Sequence, residues 1–246
     1  MQGRSAWGIG VVGAVVLVSC GSSDDELLVL AASSLADAMV EMEAAFEDGN
    51  PGVDVRISLA GTNALRTQVA EGAPADVVAF AATAPMDALV DAGDVNTPVV
   101  FATNRLVLAT PDDDPGDVDA LDDLADPDRK IGLCAPAVPC GALAAQLLDD
   151  AGIIPAPDTE EPDVRSLVAK LASGELDAGL VYATDAGAFP DALRIVPIDE
   201  SSTIANRYPI AVTTESDDPD ASRRFVEFVL SDRGSAILTE AGFGTP

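Results

Sequence analysis

Hydroxyl side chains lie at several positions where an apolar, strand-like run of the sequence gives way to a helical pattern. Ser34 follows the apolar run of residues 27–31, and Thr62 follows the alternating segment 53–59. Tyr182 closes a third apolar run, residues 178–182. The start of a helix presents unpaired N–H groups and the positive end of the helix dipole, which together favour an anion. Hydroxyl donors at such junctions therefore indicate a candidate anion site.

Each of these junctions also has a purely structural interpretation. Ser34 is followed three residues later by Asp37, a spacing that suits a capping box at the start of a helix. Two further helical segments begin near Cys140 and at Val164, and Asp163 can cap the second of them. Local sequence leaves ligand binding and capping open at these positions.

The N-terminal segment has the features of an export signal. Arg4 precedes a stretch of apolar and small residues, 6–19, that is too short to span a bilayer. The stretch ends in LVSCG, which resembles the bacterial lipoprotein signal with Cys20 as the lipidated residue. We expect a signal peptide over 1–19, a lipidated tether over 20–26 and a mature protein anchored outside the cell membrane, with ordinary secretion as the alternative.

Two further cysteines, Cys134 and Cys140, are separated by five residues. In the oxidising surroundings of an exported protein they can form a disulfide that closes a short loop. Alternatively, Cys140 is a nucleophilic thiolate stabilised by the start of the helix that follows it. A zinc site is disfavoured, because the chain has no histidine and lacks four Cys or His ligands at a characteristic spacing.

The overall charge of the chain is strongly negative. Its 42 acidic and 13 basic residues give a formal net charge of −29. Such a surface repels nucleic acids and anionic lipids, so neither is expected as a partner. The absence of histidine removes the commonest general base, and the sequence contains neither a Gly-x-Ser-x-Gly elbow nor a phosphate-loop motif. The composition therefore disfavours an enzyme.

The elements that must position these residues alternate between strand and helix. Strands are predicted over 27–31, 53–59, 76–81, 105–110, 130–134, 178–182, 193–198 and 208–213. Helical periodicity follows most of them, and an acidic, proline-containing linker occupies 111–128. This alternation favours an α/β fold with parallel sheets covered by helices, and 246 residues suffice for two lobes.

Several stretches, taken in order, resemble the periplasmic molybdate-binding proteins that serve ABC importers. They are AASSLADAM (31–39), GAPADVVAFA (72–81), VPCGALAAQLL (138–148), PDVRSLVAKLASGELDAGLVYATDA (162–186) and YPIAV (208–212). The resemblance extends from about residue 27 to residue 243. It implies a two-lobed type II periplasmic-binding-protein fold, each lobe a mainly parallel sheet flanked by helices, with the ligand in the cleft. It also implies lobe 1 over 27–104 plus 208–246 and lobe 2 over 105–207.

The same resemblance implies an oxyanion site with no cofactor and no direct bond between protein and metal. In the family, hydroxyls and backbone N–H groups of five segments bind the oxyanion, and the matching positions here are Ser34, Thr62, Cys140, Val164 and Tyr182. The second segment reads AGTNA where the family often has serines, so Gly61 or Asn63 could contribute in place of Thr62.

The functional prediction is an extracytoplasmic, monomeric lipoprotein that binds molybdate or tungstate. It would deliver the anion to the permease and ATPase complex of an ABC transporter. Two alternatives remain open at this stage: a receptor for another tetrahedral oxyanion or small organic anion, and an enzyme on a related fold with Cys140 as nucleophile.

Overall fold

The computed structural model describes residues 25–198 and 205–246. The predicted signal peptide and Cys20 lie outside these ranges. Within them, none of the helices has the length and apolar character that a bilayer crossing requires. The first strand begins at Asp25, inside the segment predicted as a tether.

The bounds of the elements follow the predicted alternation closely. The strands are β1 (Asp25–Ala32), β2 (Val53–Ala60), β3 (Val77–Ala79), β4 (Val99–Pro111), β5 (Ile131–Cys134), β6 (Pro157–Glu161), β7 (Ala178–Tyr182), β8 (Leu193–Val196) and β9 (Ala205–Val212). The helices are α1 (Ala36–Gly49), α2 (Thr62–Ala70), α3 (Thr83–Ala92), α4 (Pro139–Ala151), α5 (Val164–Ala172), α6 (Ala183–Gly187), α7 (Pro219–Val229) and α8 (Asp232–Glu240). Short 3-10 turns cover Ser33–Leu35 and Leu121–Ala125.

Local sequence explains most of these bounds. Helix α1 buries the apolar residues at helical spacing, which are Ala38, Met39, Met42, Ala45 and Phe46, and it ends at Gly49 before Asn50 and Pro51. Helix α4 has Pro139 in its first turn and Gly152 in the left-handed conformation after its last residue, with φ 70°. The helix begins at Pro139, one residue before Cys140, near which the sequence predicts its start.

The sheet joins two halves through antiparallel strands. Its order is β2-β1-β3-β9-β4-β7-β5-β6, with β8 paired to β4. In one half β1 is parallel to β2 and β3, and in the other β5 is parallel to β6 and β7. Strands β9 and β4 are antiparallel to each other and to β3 and β7, their neighbours on either side. The two parallel units therefore meet at the β9–β4 pair.

The buried hydrophobic residues form separate cores on the two sides of the β9–β4 pair. One core is built from residues between Leu106 and Val196. The remaining two cores draw on residues 27–102 and 208–243. The chain thus leaves the first half along β4 and returns to it along β9.

Two features differ from the sequence prediction for physical reasons. Strand β6 has the sequence PDTEE, which has no apolar alternation, and its partner β5 supplies the hydrogen bonds that make it a strand. The predicted linker over 111–128 is packed rather than free, because Val118, Leu121 and Leu124 are buried in the core of the second half.

Cys134 and Cys140 form a disulfide, with their Cα atoms 5.8 Å apart. We predict that replacing both by Ser lowers the free energy of unfolding by less than about 3 kcal/mol, the value for a loop of roughly 15 residues, because the closed loop is shorter. Urea unfolding of the exported protein with and without reductant measures this, and the double variant should not respond to reductant. Two alkylated cysteines in native, unreduced protein would contradict the pairing.

Candidate functional site

A small cavity lies between the two halves, at the carboxyl ends of their parallel strands. Its volume is about 20 Å³, far below the roughly 300 to 1,000 Å³ of pockets for drug-sized ligands. The residues that line it are Ala32, Ser33, Ser34, Gly61, Thr62, Ala81, Val138, Pro139, Cys140, Pro162, Asp163, Val164 and Tyr182. All five positions implied by the family resemblance are among them. The cavity suits an inorganic ion better than an organic ligand.

The lining residues come from the starts of helices in both halves. Ser34 lies in the 3-10 turn before α1, and Thr62 is the first residue of α2. From the other half, Cys140 lies in the first turn of α4 and Val164 is the first residue of α5. The first N–H groups of a helix have no partner within it, so each start supplies donors and the positive end of a dipole.

The hydroxyl of Ser34 does not cap a helix. Neither the 3-10 turn nor α1 has a side-chain cap, and Ser34 Oγ lies 3.0 Å from Tyr208 Oη. The capping-box interpretation of Ser34 and Asp37 is therefore wrong. The Ser34 hydroxyl forms a hydrogen bond with Tyr208 of β9 instead of with a backbone N–H group of its own helix. Asp163, in contrast, does cap α5, accepting a hydrogen bond from the Ser166 N–H at 3.0 Å.

The hydroxyls of Thr62 and Tyr182 both accept hydrogen bonds from neighbouring residues of the protein. The Ala81 N–H donates to Thr62 Oγ1 at 3.1 Å. The amide of Asn206 donates to Tyr182 Oη at 2.8 Å. Each hydroxyl therefore keeps its own proton for another acceptor. Burial raises the pKa of Tyr182 well above 10, and the neighbouring Tyr208 and Asp185 raise it further, so its hydroxyl stays protonated at neutral pH.

Two close approaches join the halves around the cavity. A Cβ on Gly61 would lie 3.0 Å from the Pro162 carbonyl oxygen of the facing loop. Close by, Asn63 Nδ2 donates to the Ala137 carbonyl across the cleft at 2.6 Å. Thr62 is thus the lining hydroxyl of its segment, while Asn63 contacts the opposite half rather than the cavity.

The disulfide changes the interpretation of Cys140. Bonded to Cys134 and only 3% exposed, it offers no thiolate. The hypothesis of a Cys140 nucleophile is therefore wrong for the oxidised protein. The backbone of this segment is also tightly packed, since a Cβ on the adjacent Gly141 would lie 1.9 Å from the Ala135 carbonyl oxygen.

The described residues that line the cavity include no Lys or Arg. The nearest cation in sequence is Arg165, directly after Val164, and its guanidinium forms ion pairs with Asp185 of α6 and, across the cleft, with Asp37 of α1. Within the two described ranges no cluster of three or more His, Cys, Asp or Glu could hold a metal ion. Any anion in this cavity would therefore be bound by neutral donors, with Asp163 as a nearby acidic group.

Asp185 is the most unusual titratable group near the site. Its side chain is fully buried, Arg165 Nε lies 2.8 Å from Oδ1, and neither carboxylate oxygen has an aligned hydrogen-bond donor among the described residues. Burial raises its pKa from 3.8 to about 7; Arg165 lowers the pKa, while Asp37 and Asp163 add to the rise.

Sequence reasoning missed the residues that support the site from behind. Ser33 and Ala81, which line the cavity, lie inside segments that carry the family resemblance, but sequence reasoning did not assign them to the site. Asn206 and Tyr208 of β9 contact Tyr182 and Ser34 respectively, across 24 and 174 residues of sequence. The sequence feature that could have indicated them is the segment of β9, in which Asn206 and Tyr208 precede a run of apolar residues.

Comparison with known proteins identifies relatives across this whole region. Residues 27–244 match the family of bacterial extracellular solute-binding proteins. The molybdate-binding protein ModA of Mycobacterium tuberculosis (strain H37Rv) is 36% identical over 243 residues, which cover 94% of this chain and 93% of that protein. Both the family and this relative are described as binding proteins.

Two solved structures share the fold. The periplasmic molybdate-binding protein of Azotobacter vinelandii has a TM-score of 0.74 at 21% identity, over 89% of this chain and 99% of that chain. The sulfate-binding protein SubI from M. tuberculosis H37Rv has a TM-score of 0.80 at 19% identity, over 89% of this chain and 86% of that chain. The prediction of a two-lobed α/β fold of the periplasmic-binding-protein class is confirmed.

We predict that Asp185 makes stability depend on pH. With a pKa of about 7 folded against 3.8 as the ordinary value, the folded state binds the extra proton between these values. The contribution of this group to the free energy of unfolding is therefore lost as the pH rises from about 4 to 7. Above pH 7 the group causes no further change. In the Asp185→Asn variant, the part of the decrease in unfolding free energy with pH that Asp185 causes should be absent. Urea titrations at several pH values across that range measure this. Glu41→Gln, which removes one exposed charge from α1, is the control, and equal slopes in wild type and Asp185→Asn would refute the assignment.

Proposed function

Because the chain belongs to the bacterial extracellular solute-binding proteins, we propose that it captures molybdate outside the cell membrane and delivers it to the permease of an ABC transporter. The observation that carries this proposal is the convergence of Ser34, Thr62, Cys140, Val164 and Tyr182 on one small cavity. The molybdate-binding relative that covers 94% of the chain supports the choice of anion.

The proposed ligand contacts use both side chains and backbone. Ser34, Thr62 and Tyr182 donate their hydroxyl protons, and Cys140 and Val164 donate backbone N–H groups from the first turns of α4 and α5. A buried dianion is tolerated only if its oxygens are hydrogen-bonded, and charge-assisted bonds to neutral donors meet that need without a Lys or Arg. Molybdenum would be held through its oxygens alone.

Selectivity in this proposal rests on size. Sulfate has the same charge as molybdate but shorter bonds to oxygen, so donors spaced for molybdate would leave sulfate with stretched hydrogen bonds. Tungstate matches molybdate in charge and shape, and we propose it as a second ligand. Calorimetry against molybdate, tungstate, sulfate and phosphate tests this order, and tighter binding of sulfate or phosphate than of molybdate would reassign the ligand.

Closure of two lobes over the anion completes the proposed mechanism. We assign residues 27–104 with 208–246 to lobe 1 and residues 105–207 to lobe 2, an assignment supported by the separate cores of the two halves. The contacts that would form on closure are Asn63 with Ala137 and Arg165 with Asp37. A single closed copy would then dock on the permease.

We predict that Ser34→Ala and Thr62→Ala each weaken molybdate binding by roughly tenfold to a hundredfold, the effect of one lost hydrogen bond to a charged group. Isothermal calorimetry on each purified variant measures this loss. Thr67→Ala removes an exposed hydroxyl from the same helix as Thr62 and is the control, so its affinity should equal that of the parent. If both site variants bind molybdate as tightly as the parent, the oxyanion site lies elsewhere.

We also propose that Cys20 carries the lipid that keeps the protein at the membrane, with ABC permease and ATPase as its partners there. One acyl chain gives only marginal anchoring, so stable attachment needs the several chains of a bacterial lipoprotein. Cys20→Ser should move the protein from the membrane fraction to the soluble fraction of cells. A variant that stays with the membrane would show that something other than Cys20 anchors it.

A further inference from the structure

Asn206 links the binding segments of the two halves from behind the cavity. It lies on β9, one of the two strands that pass between the halves, and it is 9% exposed. Its amide nitrogen donates to the carbonyl of Ala81, in the loop after β3, and to the hydroxyl of Tyr182, at the end of β7. Both Ala81 and Tyr182 line the cavity.

The orientation of this amide is determined by its partners. A backbone carbonyl can only accept a hydrogen bond, so the atom of Asn206 that faces Ala81 must be the NH₂ group. The second proton of the same nitrogen is then directed to Tyr182 Oη, 2.8 Å away. Asn206 is therefore a donor to Tyr182 and cannot accept its proton through this contact.

The consequence for Tyr182 concerns the direction of its hydroxyl proton. A phenol proton lies close to the ring plane and has two favoured positions, one on each side of the oxygen. A donor on one side leaves the proton to point to the other. Because Tyr182 lines the cavity, this proton is available to a ligand there, and the neighbouring Tyr208 hydroxyl, which also interacts with Tyr182, is the competing acceptor.

We propose that Asn206 is a positioning residue for oxyanion binding: it fixes Tyr182 as a hydrogen-bond donor to the ligand. The inference rests on the proposed function and adds a residue that does not line the cavity. Without Asn206, the Tyr182 hydroxyl could turn and present its lone pairs to the anion, which would replace attraction by repulsion. The binding free energy would then include the cost of turning it back.

Asn104 offers a matched comparison on the other crossing strand. It is 5% exposed, and its amide nitrogen donates to Thr184 Oγ1 at 2.8 Å and approaches Tyr208 Oη at 3.5 Å. Tyr208 in turn contacts Ser34. Asn104 thus has the same residue type and similar burial, but it has no hydrogen bond to Tyr182 among the described residues.

A double-mutant cycle tests the proposal with molybdate as the probe. Asn206→Leu keeps the shape of the side chain and removes its donors, and we expect molybdate affinity to fall on the order of tenfold. In the Tyr182→Phe background the same substitution should cost about twofold or less, because the hydroxyl it orients is gone. Asn104→Leu should cost the same factor in both backgrounds. Thermal melting of each apo protein establishes that the variants are folded, and Asn206→Ser replaces Asn206→Leu in the cycle if the latter does not fold.

Wild-type molybdate binding separates failure of this inference from failure of the proposed function. If the wild type binds no molybdate, both proposals are overturned. If the wild type binds and Asn206→Leu costs the same factor with and without the Tyr182 hydroxyl, or costs nothing, only the role of Asn206 is overturned. A loss confined to the background that retains the hydroxyl supports the role.

Discussion

The buried polar side chains of the two crossing strands must find hydrogen-bond partners, and the geometry of the cavity depends on how they do so. Asn104, Asn206 and Tyr208 are all less than 10% exposed on β4 and β9. An unsatisfied buried polar group costs about 1 to 3 kcal/mol. Their partners are Thr184, Ala81, Tyr182 and Ser34, three of which line the cavity. The side chains that connect the two halves therefore also support the candidate site.

The overall charge of the chain is the opposite of what a nucleic-acid-binding surface would need. The chain has a formal net charge of −29, and Arg165, the cation next to the cavity, is paired with two aspartates. A long-range field of this sign slows the approach of any anion, and salt screens it. Under the proposed function, affinity for an anion would have to come from contacts inside the cavity, where donors at close range and helix N-termini act in a low dielectric.

The sequence predicted the elements and the lining of the cavity better than it predicted the supporting contacts. Strand-to-helix junctions are local features, so apolar periodicity located the segments around Ser34, Thr62, Val164 and Tyr182. The capping box at Ser34 failed because its hydroxyl pairs with Tyr208, 174 residues away, and a local rule contains no information on such a partner. Strand β6 was missed for the same reason, since pairing with β5 rather than its own composition makes PDTEE a strand.

Neutral donors give this cavity a property that a lysine or arginine could not. A point charge attracts every anion with little dependence on geometry, whereas a hydrogen bond weakens steeply when its length or angle departs from the optimum. Donors can distinguish anions by size only if the donors are fixed in position. Each hydroxyl here has a hydrogen-bond partner in the protein: the Ala81 N–H for Thr62, Asn206 for Tyr182 and Tyr208 for Ser34. The close approach at Gly61 and the disulfide between Cys134 and Cys140 restrict the backbone around the cavity in the same way. In the proposed oxyanion site, discrimination between anions of equal charge would therefore depend on the rigidity of these supporting residues as much as on the residues that contact the ligand.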